Sequence, residues 1–304
     1  MKNKNLKILY IAGEGRSGST IIGNILGEMN GCFTVGETWN IWGNHESPRD
    51  YCCCGKRLDE CSHWREILEI GFGERHFRAI KPPQGRNNLV SFYPFIMLIL
   101  KCSFFSNEYI SFLDRFYSAI HNATGANTIL DESKMPSYAF AISKIPGIEL
   151  RVLHLVRDPR AVFHSWQRKK KYNGENGGFL PQWGLFVSIR RWLSKNLLAN
   201  QFFSHQSGYK LVKYEDFAQD PQKIIMEIAN WADLSIPDQL FDGKEVNIKK
   251  EHHLLGSNPV GIQRGIITIT TDDAWKHEMP AWKKIVITLF TFPELIHYGY
   301  PIIS

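Results

Sequence analysis

Short apolar runs that stop at glycine or at charge alternate along this chain with stretches whose apolar residues recur every three or four positions. Residues 7–12, Lys-Ile-Leu-Tyr-Ile-Ala, form the first such run and are followed directly by glycines. A short, continuous apolar run bounded by turn residues predicts a strand buried on both faces. Residues 20–27 then take helical spacing, so the chain opens as strand, glycine-rich turn and helix. Residues 33–35 predict a second short strand. Residues 44–85 are irregular and rich in Cys, Gly, Pro and charge, which reads as an insertion with one helix at 64–70.

Further on, 91–123 is largely helical by periodicity, and 127–130 reads as a strand that ends at Asp131. The clearest strand is 149–156, followed by a helix at 161–171. A helix at 183–203 and a strand at 209–214 come next. Asp220-Pro221 then supplies a capping residue and a first-turn proline for a helix that runs to Ala232. Residues 285–292 close the chain with apolar character. Strands alternating with helices predict an α/β fold, three-layer α/β/α, with a central parallel sheet covered on both faces. No linker divides the chain, so residues 1–304 are expected to form a single domain with an irregular Cys-rich insertion at about 44–85.

Composition narrows this little. The 304 residues are 43% hydrophobic and 22% charged, which excludes disorder, collagen and coiled coil for the chain as a whole. Basic residues number 36 against 30 acidic, a net charge of +6. That excess suits an anionic small molecule, but no basic run marks a nucleic-acid partner. The apolar stretch at 8–12 is too short for a signal core. The stretch at 92–100 contains Pro94, ends at Lys101 and falls far short of a membrane span. A cytoplasmic protein with no transmembrane segment is expected. Oligomeric state has no readable signal.

The chemistry begins in the first turn, Gly13-Glu14-Gly15-Arg16-Ser17-Gly18-Ser19-Thr20. It fits the P-loop template except that Ser19 stands where a nucleoside-triphosphate enzyme places Lys. Glycines let the backbone approach an anion, and the following helix points free N–H groups at it. Without the Lys, Arg16 and the hydroxyls of Ser17, Ser19 and Thr20 supply the donors. Asp131 is the one candidate for a magnesium-holding aspartate. A second constellation, residues 153–165, runs from an apolar strand into Arg157-Asp158-Pro159-Arg160-Ala161 and on to Ser165. Arg157 sits at a strand's C-terminal end, where open α/β sheets bind ligands. Read alone, Asp158 is equally well a helix cap with Arg157 as its ion-pair partner.

Together these residues resemble the sulfotransferase family that uses 3′-phosphoadenosine 5′-phosphosulfate (PAPS). Arg16 to Thr20 matches the 5′-phosphosulfate loop, and Arg157 to Ala161 with Ser165 matches the 3′-phosphate motif. Asp131-Glu132-Ser133-Lys134 is similar to the Asp-Ser-Ser-Lys step of the family's bacterial and carbohydrate-type branch. Lys213-Tyr214-Glu215-Asp216, with Asp220-Pro221, is similar to its Arg-Tyr-Glu-Asp stretch. Residues 253–265 resemble its C-terminal loop, with Ser257 in place of a usual Gly and Gly261 in place of a basic residue.

The resemblance implies a P-loop nucleotide-binding-like fold. It implies sulfuryl transfer from PAPS to a hydroxyl or amine, with no metal required. The expected acceptor is a carbohydrate or another small metabolite. Glu37, which follows Gly36 after the second strand, is the implied base, and Lys134 the implied partner of the bridging oxygen. Gly15, Arg16, Ser17, Gly18, Ser19 and Thr20 would bind the 5′ side; Arg157, Ser165, Arg264 and Gly265 would bind the 3′ side. Two other readings of the same residues are a kinase-like P-loop phosphotransferase, with ATP and magnesium, and a nucleotide-fold binding protein without catalysis.

Cys52-Cys53-Cys54-Gly55 and Cys61-Ser62-His63-Trp64 form a separate cluster. Three cysteines and His63 are one way to a zinc knuckle, although the spacing is not a CxxC pair. A similar stretch occurs in bacterial relatives, and a structural patch near the acceptor side is expected. A disulfide from Cys61 to Cys52 or Cys54 suits an oxidising compartment and not a cytosol. The carboxylates of 215–216 are expected to pair with cofactor-site arginines or cap the next helix, and Trp275 is expected to be structural. Acceptor choice falls to 44–85 and 172–181, whose aromatics (Trp42, Tyr51, Trp64, Tyr172, Trp183) suit sugar or aryl stacking equally.

Overall fold

The computed structural model describes residues 6–41, 51–83, 105–169, 179, 181–255 and 264–303. Its centre is strand β1 (Leu6–Ala12). Successive side chains of a strand point to opposite faces. Accordingly Leu6, Ile8, Tyr10 and Ala12 enter one buried cluster, and Leu9 and Ile11 enter another. Only a central strand can bury both faces. The sheet order is β2-β3-β1-β4-β5, with β2 (Cys32–Gly36), β3 (Thr128–Lys134), β4 (Ile148–Val156) and β5 (Tyr209–Lys213). Every pairing is parallel.

Helices cover the two faces. On one side lie α1 (Ser19–Gly27) and, further along the chain, the 221–232 helix, with Ile22, Ile25, Ile225 and Ile228 in the cluster that receives Leu9. On the other side lie α2 (Ser62–Phe72), α3 (Asn107–Thr124) and α4 (Pro136–Ile142). The chain then continues through α5 (Pro159–Gln167), α6 (Leu185–Phe203), α7 (Tyr214–Gln219), α8 (Pro221–Ala232), α9 (Trp275–Glu278) and α10 (Ala281–His297). The three-layer expectation holds. Each fully buried Ile or Leu of β1 contributes about 1.5–3 kcal/mol, so the alternation in this strand ties the two layers together.

Helix ends follow local chemistry. Ser106 caps α3 by accepting from the Tyr109 amide, and Asp220 caps α8 by accepting from Lys223. Pro221 opens α8 as expected. Residues 91–104 lie outside the described residues, so the predicted long helical stretch is observed from Asn107 onward.

Two features depart from the sequence reading. Strand β3 continues past Asp131 to Lys134, because Glu132 and Ser133 are buried rather than solvated. A second, antiparallel sheet is formed by β6 (Phe241–Asp242), β7 (Glu245–Ile248) and β8 (Gly265–Thr268). These strands are too short for a period-two pattern to stand out. Among the described residues no helix is long and apolar enough to cross a membrane.

The parallel sheet points all five C-terminal strand ends the same way. That edge carries the glycine loop after β1, Glu37 after β2, Lys134 at the end of β3, Arg157 after β4 and Tyr214 after β5.

Candidate active site

The glycine loop is shaped by two backbone positions that no side chain tolerates. Gly13 has φ +124°, and a Cβ there would lie 2.3 Å from the Leu155 carbonyl oxygen. Gly18 has φ +84°, and a Cβ would lie 2.5 Å from the Tyr214 ring. Arg16 is itself left-handed, at φ +68°, a conformation that costs a non-glycine residue about 1–3 kcal/mol. The loop leads into α1, whose Gly18 cap makes no side-chain hydrogen bond. The first-turn amides of a helix have no intrahelical partner. Ser17 Oγ is buried and has no hydrogen-bond partner among the described residues. An uncapped helix start beside an unused buried hydroxyl fits an anionic group. Ser19 and Thr20 open the helix. The Arg16 guanidinium stacks over Trp166 of α5, 4.6 Å from its ring centre, and Gly15 faces the same ring.

Beside the loop, Lys134 lies opposite Ala12 in the β1–β3 register. It has φ +63°, and its side chain is almost fully buried. Lys134 Nζ donates to Glu37 Oε1 at 2.6 Å. Burial pulls the Lys134 pKa down, but the Glu37 and Glu132 carboxylates outweigh it and the net shift is upward. The turn that carries Glu37 is held from two sides. Its amide donates to the Leu255 carbonyl at 2.7 Å. Next door, Thr38 Oγ1 donates to Asp131 at 2.5 Å, and the Trp39 amide donates to Ser133 Oγ at 3.0 Å.

Asp131 is therefore a latch. It is fully buried and also accepts from the Tyr117 hydroxyl and the Ser133 amide. Burial nevertheless raises its pKa. Glu132, which sequence reasoning left without a role, lies under α1 where a Cβ on Gly23 would meet it at 2.2 Å. Burial, followed by Glu37 and Asp131, pushes its carboxyl up to about 8 against the opposing pull of Lys134.

Across the edge, Arg157 is buried. Its Nη1 donates to the Arg16 carbonyl at 3.0 Å, and its guanidinium lies 4.3 Å from the Tyr214 ring centre. The two candidate grips are thus in direct contact. The helix-cap alternative for Arg157 is answered by its neighbour: Asp158 caps α5 and pairs with Arg160 at 2.6 Å, leaving Arg157 to the loop. Arg157 Nη2 instead reaches Asp272, at 2.8 Å to the carbonyl and 3.1 Å to Oδ2. Arg168 grips the same carboxylate with both Nη atoms, at 3.1 and 3.0 Å. Despite burial, Arg168 and Arg157 hold the Asp272 carboxyl below its ordinary value. Ser165 is buried on α5.

Arg264 is more than half exposed and pairs with Glu251 at 2.9 Å; no contact with Arg157 or the loop is seen among the described residues. Gly265, at φ +91°, starts β8. Ser257 and Gly261 lie outside the described residues, as do Trp42 and Tyr172.

Beside Arg168 and Tyr214 opens a cavity of about 480 Å³, walled by Ile21, Phe217, Ile267 and residues 268–272. Trp166, Arg168, Tyr214 and Asp272 thus join the candidate site, none of them named for it from the sequence. The Tyr214 motif was visible in the sequence, whereas Asp272 carried no signal. Glu215 accepts from the Asp158 amide at 3.1 Å and from Tyr300 at 2.8 Å, so it secures the start of α5 rather than pairing with an arginine. Trp275 is buried under the Arg160 guanidinium, a structural place as expected.

The Cys-rich segment also differs from expectation. Trp64 is a buried core residue and offers no ring to an acceptor. Three cysteines do converge, but with His253 rather than His63; His63 stacks on the His253 ring at 3.8 Å.

Comparison with known proteins shows a family and a fold. A family model described as the sulfotransferase family matches residues 9–238. Carbohydrate sulfotransferase 5 of Mus musculus is 25% identical, over 87% of this chain and 73% of its own length. Carbohydrate sulfotransferase 6 of Homo sapiens is 30% identical, over 44% of this chain and 38% of its own. Among solved structures, the sulfotransferase domain of the Synechococcus PCC 7002 olefin synthase superposes with a TM-score of 0.56. It is 18% identical and covers 99% of this chain and 98% of that one. The sulfotransferase domain of the curacin biosynthetic pathway gives 0.54 at 13% identity, covering 97% and 98%. At these identities the structures speak for the fold.

Proposed function

Because the chain belongs to the sulfotransferase family, we propose that it moves a sulfuryl group from PAPS to a carbohydrate hydroxyl, with Glu37 as base and Lys134 at the leaving oxygen. The observation that carries this reading is the 2.6 Å Lys134–Glu37 pair beside an uncapped glycine loop. An acid–base pair at the mouth of an anion cradle is what in-line transfer needs. The carbohydrate class rests on what the curated relatives are named for.

In the free enzyme Lys134 and Glu37 neutralise each other. With donor in the loop, Lys134 turns its charge to the oxygen between phosphate and sulfur, and Glu37 is released to the acceptor. The acceptor oxygen then forms a bond to sulfur as the bridging S–O bond breaks. The electron pair leaves with the 5′-phosphate, and the acceptor proton passes to Glu37. A sulfuryl group carries less charge than a phosphoryl group, so amide and hydroxyl donors with one lysine suffice. Arg157, Arg168 and Ser165 would receive the 3′-phosphate, with the base in the cavity against Tyr214 and Phe217. Against the kinase-like alternative stands the engagement of Asp131, its candidate magnesium ligand, with Thr38, Tyr117 and Ser133.

The test is a thermal-shift titration with 3′-phosphoadenosine 5′-phosphate against ATP with magnesium, followed by PAPS with a panel of oligosaccharides read by mass spectrometry. Ligand at a hundredfold its Kd adds about 2.7 kcal/mol of stability. A shift with the bisphosphate and a sulfated sugar are expected. A shift with ATP and magnesium alone would overturn the reading.

A further inference from the structure

We propose that Cys52, Cys54, Cys61 and His253 form a structural zinc site that fastens the Cys-rich segment to residues 252–255, which bridge to the end of β2 beside Glu37. The ligand atoms of these four residues all lie within 4.8 Å of one another. His253 Nδ1 is 3.6 Å from Cys52 Sγ and 3.4 Å from Cys61 Sγ. A tetrahedral zinc ion with bonds of about 2.3 Å to sulfur and 2.0–2.1 Å to nitrogen sets its ligands roughly 3.5–3.8 Å apart. The two His253 separations match that spacing, and the limit of 4.8 Å on the whole set leaves about 1 Å for the ligands to close on an ion.

The backbone sorts the cysteines. Cys53 lies between two of the four and its thiol is engaged elsewhere: next to the Cys52 thiol, it donates to the His252 carbonyl at 2.7 Å and accepts from the Leu254 amide at 3.1 Å. A tight turn closes by the Gly55 amide donating to the Cys52 carbonyl at 2.9 Å, which brings Cys52 and Cys54 to one side. Cys61 sits at the N-terminal cap of α2. His253 is fixed in place by stacking on His63 and by Trp64 Nε1, which donates to its carbonyl at 2.8 Å. Cys52 and Cys61 are buried, Cys54 and His253 partly so. Three sulfurs with one imidazole in a closed tetrahedral set favour zinc over oxygen-preferring magnesium or calcium. A single disulfide among the cysteines would use two sulfurs and leave the third beside His253.

The site has a structural consequence. Leu255 bridges to Cys52 on one side and to Gly36 on the other, and its carbonyl accepts from the Glu37 amide. A metal at Cys52 and His253 therefore holds the segment that sets the Glu37 backbone. It stands outside the glycine loop, and its existence does not depend on the reaction assigned there.

The experiment measures metal without turnover. Untagged protein, isolated without chelator, is analysed for zinc by mass spectrometry and for free thiols before and after chelation. One zinc per chain is expected, with Cys61→Ser and His253→Ala losing it and Cys53→Ser keeping it. Should those variants fail to fold, wild-type protein stripped and reloaded with cobalt(II) alone answers instead, through the intense absorption of tetrahedral cobalt–thiolate bonding. Chelation is expected to lower the melting temperature, and zinc alone to restore it. Metal-free protein with all thiols reactive, an intact mass lowered by two hydrogens, or a cobalt spectrum without thiolate bands would overturn the proposal. None of these results bears on sulfuryl transfer, so the two readings fail separately.

Discussion

The two candidate anion grips touch, through the Arg157 hydrogen bond to the Arg16 carbonyl and the Arg16 guanidinium over Trp166, yet they are built differently. The first is made of backbone. Its glycines hold conformations closed to other residues, its helix start lacks a side-chain cap, and Ser17 offers a buried hydroxyl with no partner among the described residues. The second is made of side chains, and its charge is already partly neutralised, because the one carboxylate of Asp272 takes both Arg157 and Arg168. A backbone cradle is preorganised and waits for its anion. A side-chain grip with an internal carboxylate must exchange one anion for another. A donor with phosphate at both ends should therefore find the first grip ready and compete for the second.

The largest expected effect lies beside the first grip. Glu37→Ala should lower kcat by about 10²–10⁴-fold, the usual worth of a general base, while affinity for 3′-phosphoadenosine 5′-phosphate changes little. Rapid-quench kinetics paired with calorimetry would separate the two, and full turnover would remove Glu37 from the mechanism.

Arg157→Ala comes next. Hydrogen bonds to a charged group are worth about 1.5–3 kcal/mol, so bisphosphate affinity should fall by about 10–100-fold. Affinity for adenosine 5′-phosphosulfate, which lacks the 3′-phosphate, should hardly move. An equal loss for both ligands would mean that the two grips do not divide the nucleotide between them.

Glu132, beneath the first grip, predicts a pH dependence. Its folded value of about 8 stands above the ordinary carboxylate value, so the folded chain keeps a proton that the unfolded chain releases. Its stabilising contribution is complete below about pH 4.5 and is lost as pH rises toward 8. Glu132→Gln should gain on the wild type over that window, by at most about 1.4 kcal/mol per pH unit. Parallel curves in urea titrations at several pH values would show that Glu132 ionises normally.

Asp272→Asn is the smallest change. Partly exposed ion pairs contribute about 0.2–1 kcal/mol, so removing the internal competitor should tighten bisphosphate binding by a few-fold. Weaker binding in calorimetry would mean that Asp272 orients the arginines rather than competing for them.

Legibility followed distance along the chain. The glycine loop, the Asp220 cap and the places of the central strands along the chain were readable, because each is specified by neighbours within one turn or one strand. Lys134 and Glu37 were readable as separate candidates, while their 2.6 Å contact spans a separation of 97 residues. Arg264 and Arg157 belong to one motif set in the sequence, but Arg264 pairs with Glu251. Trp64 carried an aromatic signal that burial overrides, and β6 to β8 were too short to announce themselves.

Periodicity and glycine placement thus determined the layers and the shape of the glycine loop, since those depend on sterics and hydrogen bonding along consecutive residues, while Glu37 and Lys134 became candidates through the resemblance of their motifs. Tertiary structure alone decided what meets what. It brought Asp272 onto Arg157 across 115 positions and His253 onto Cys52 across 201. Such pairings are made by packing of the whole chain, whose closure leaves no local pattern to read.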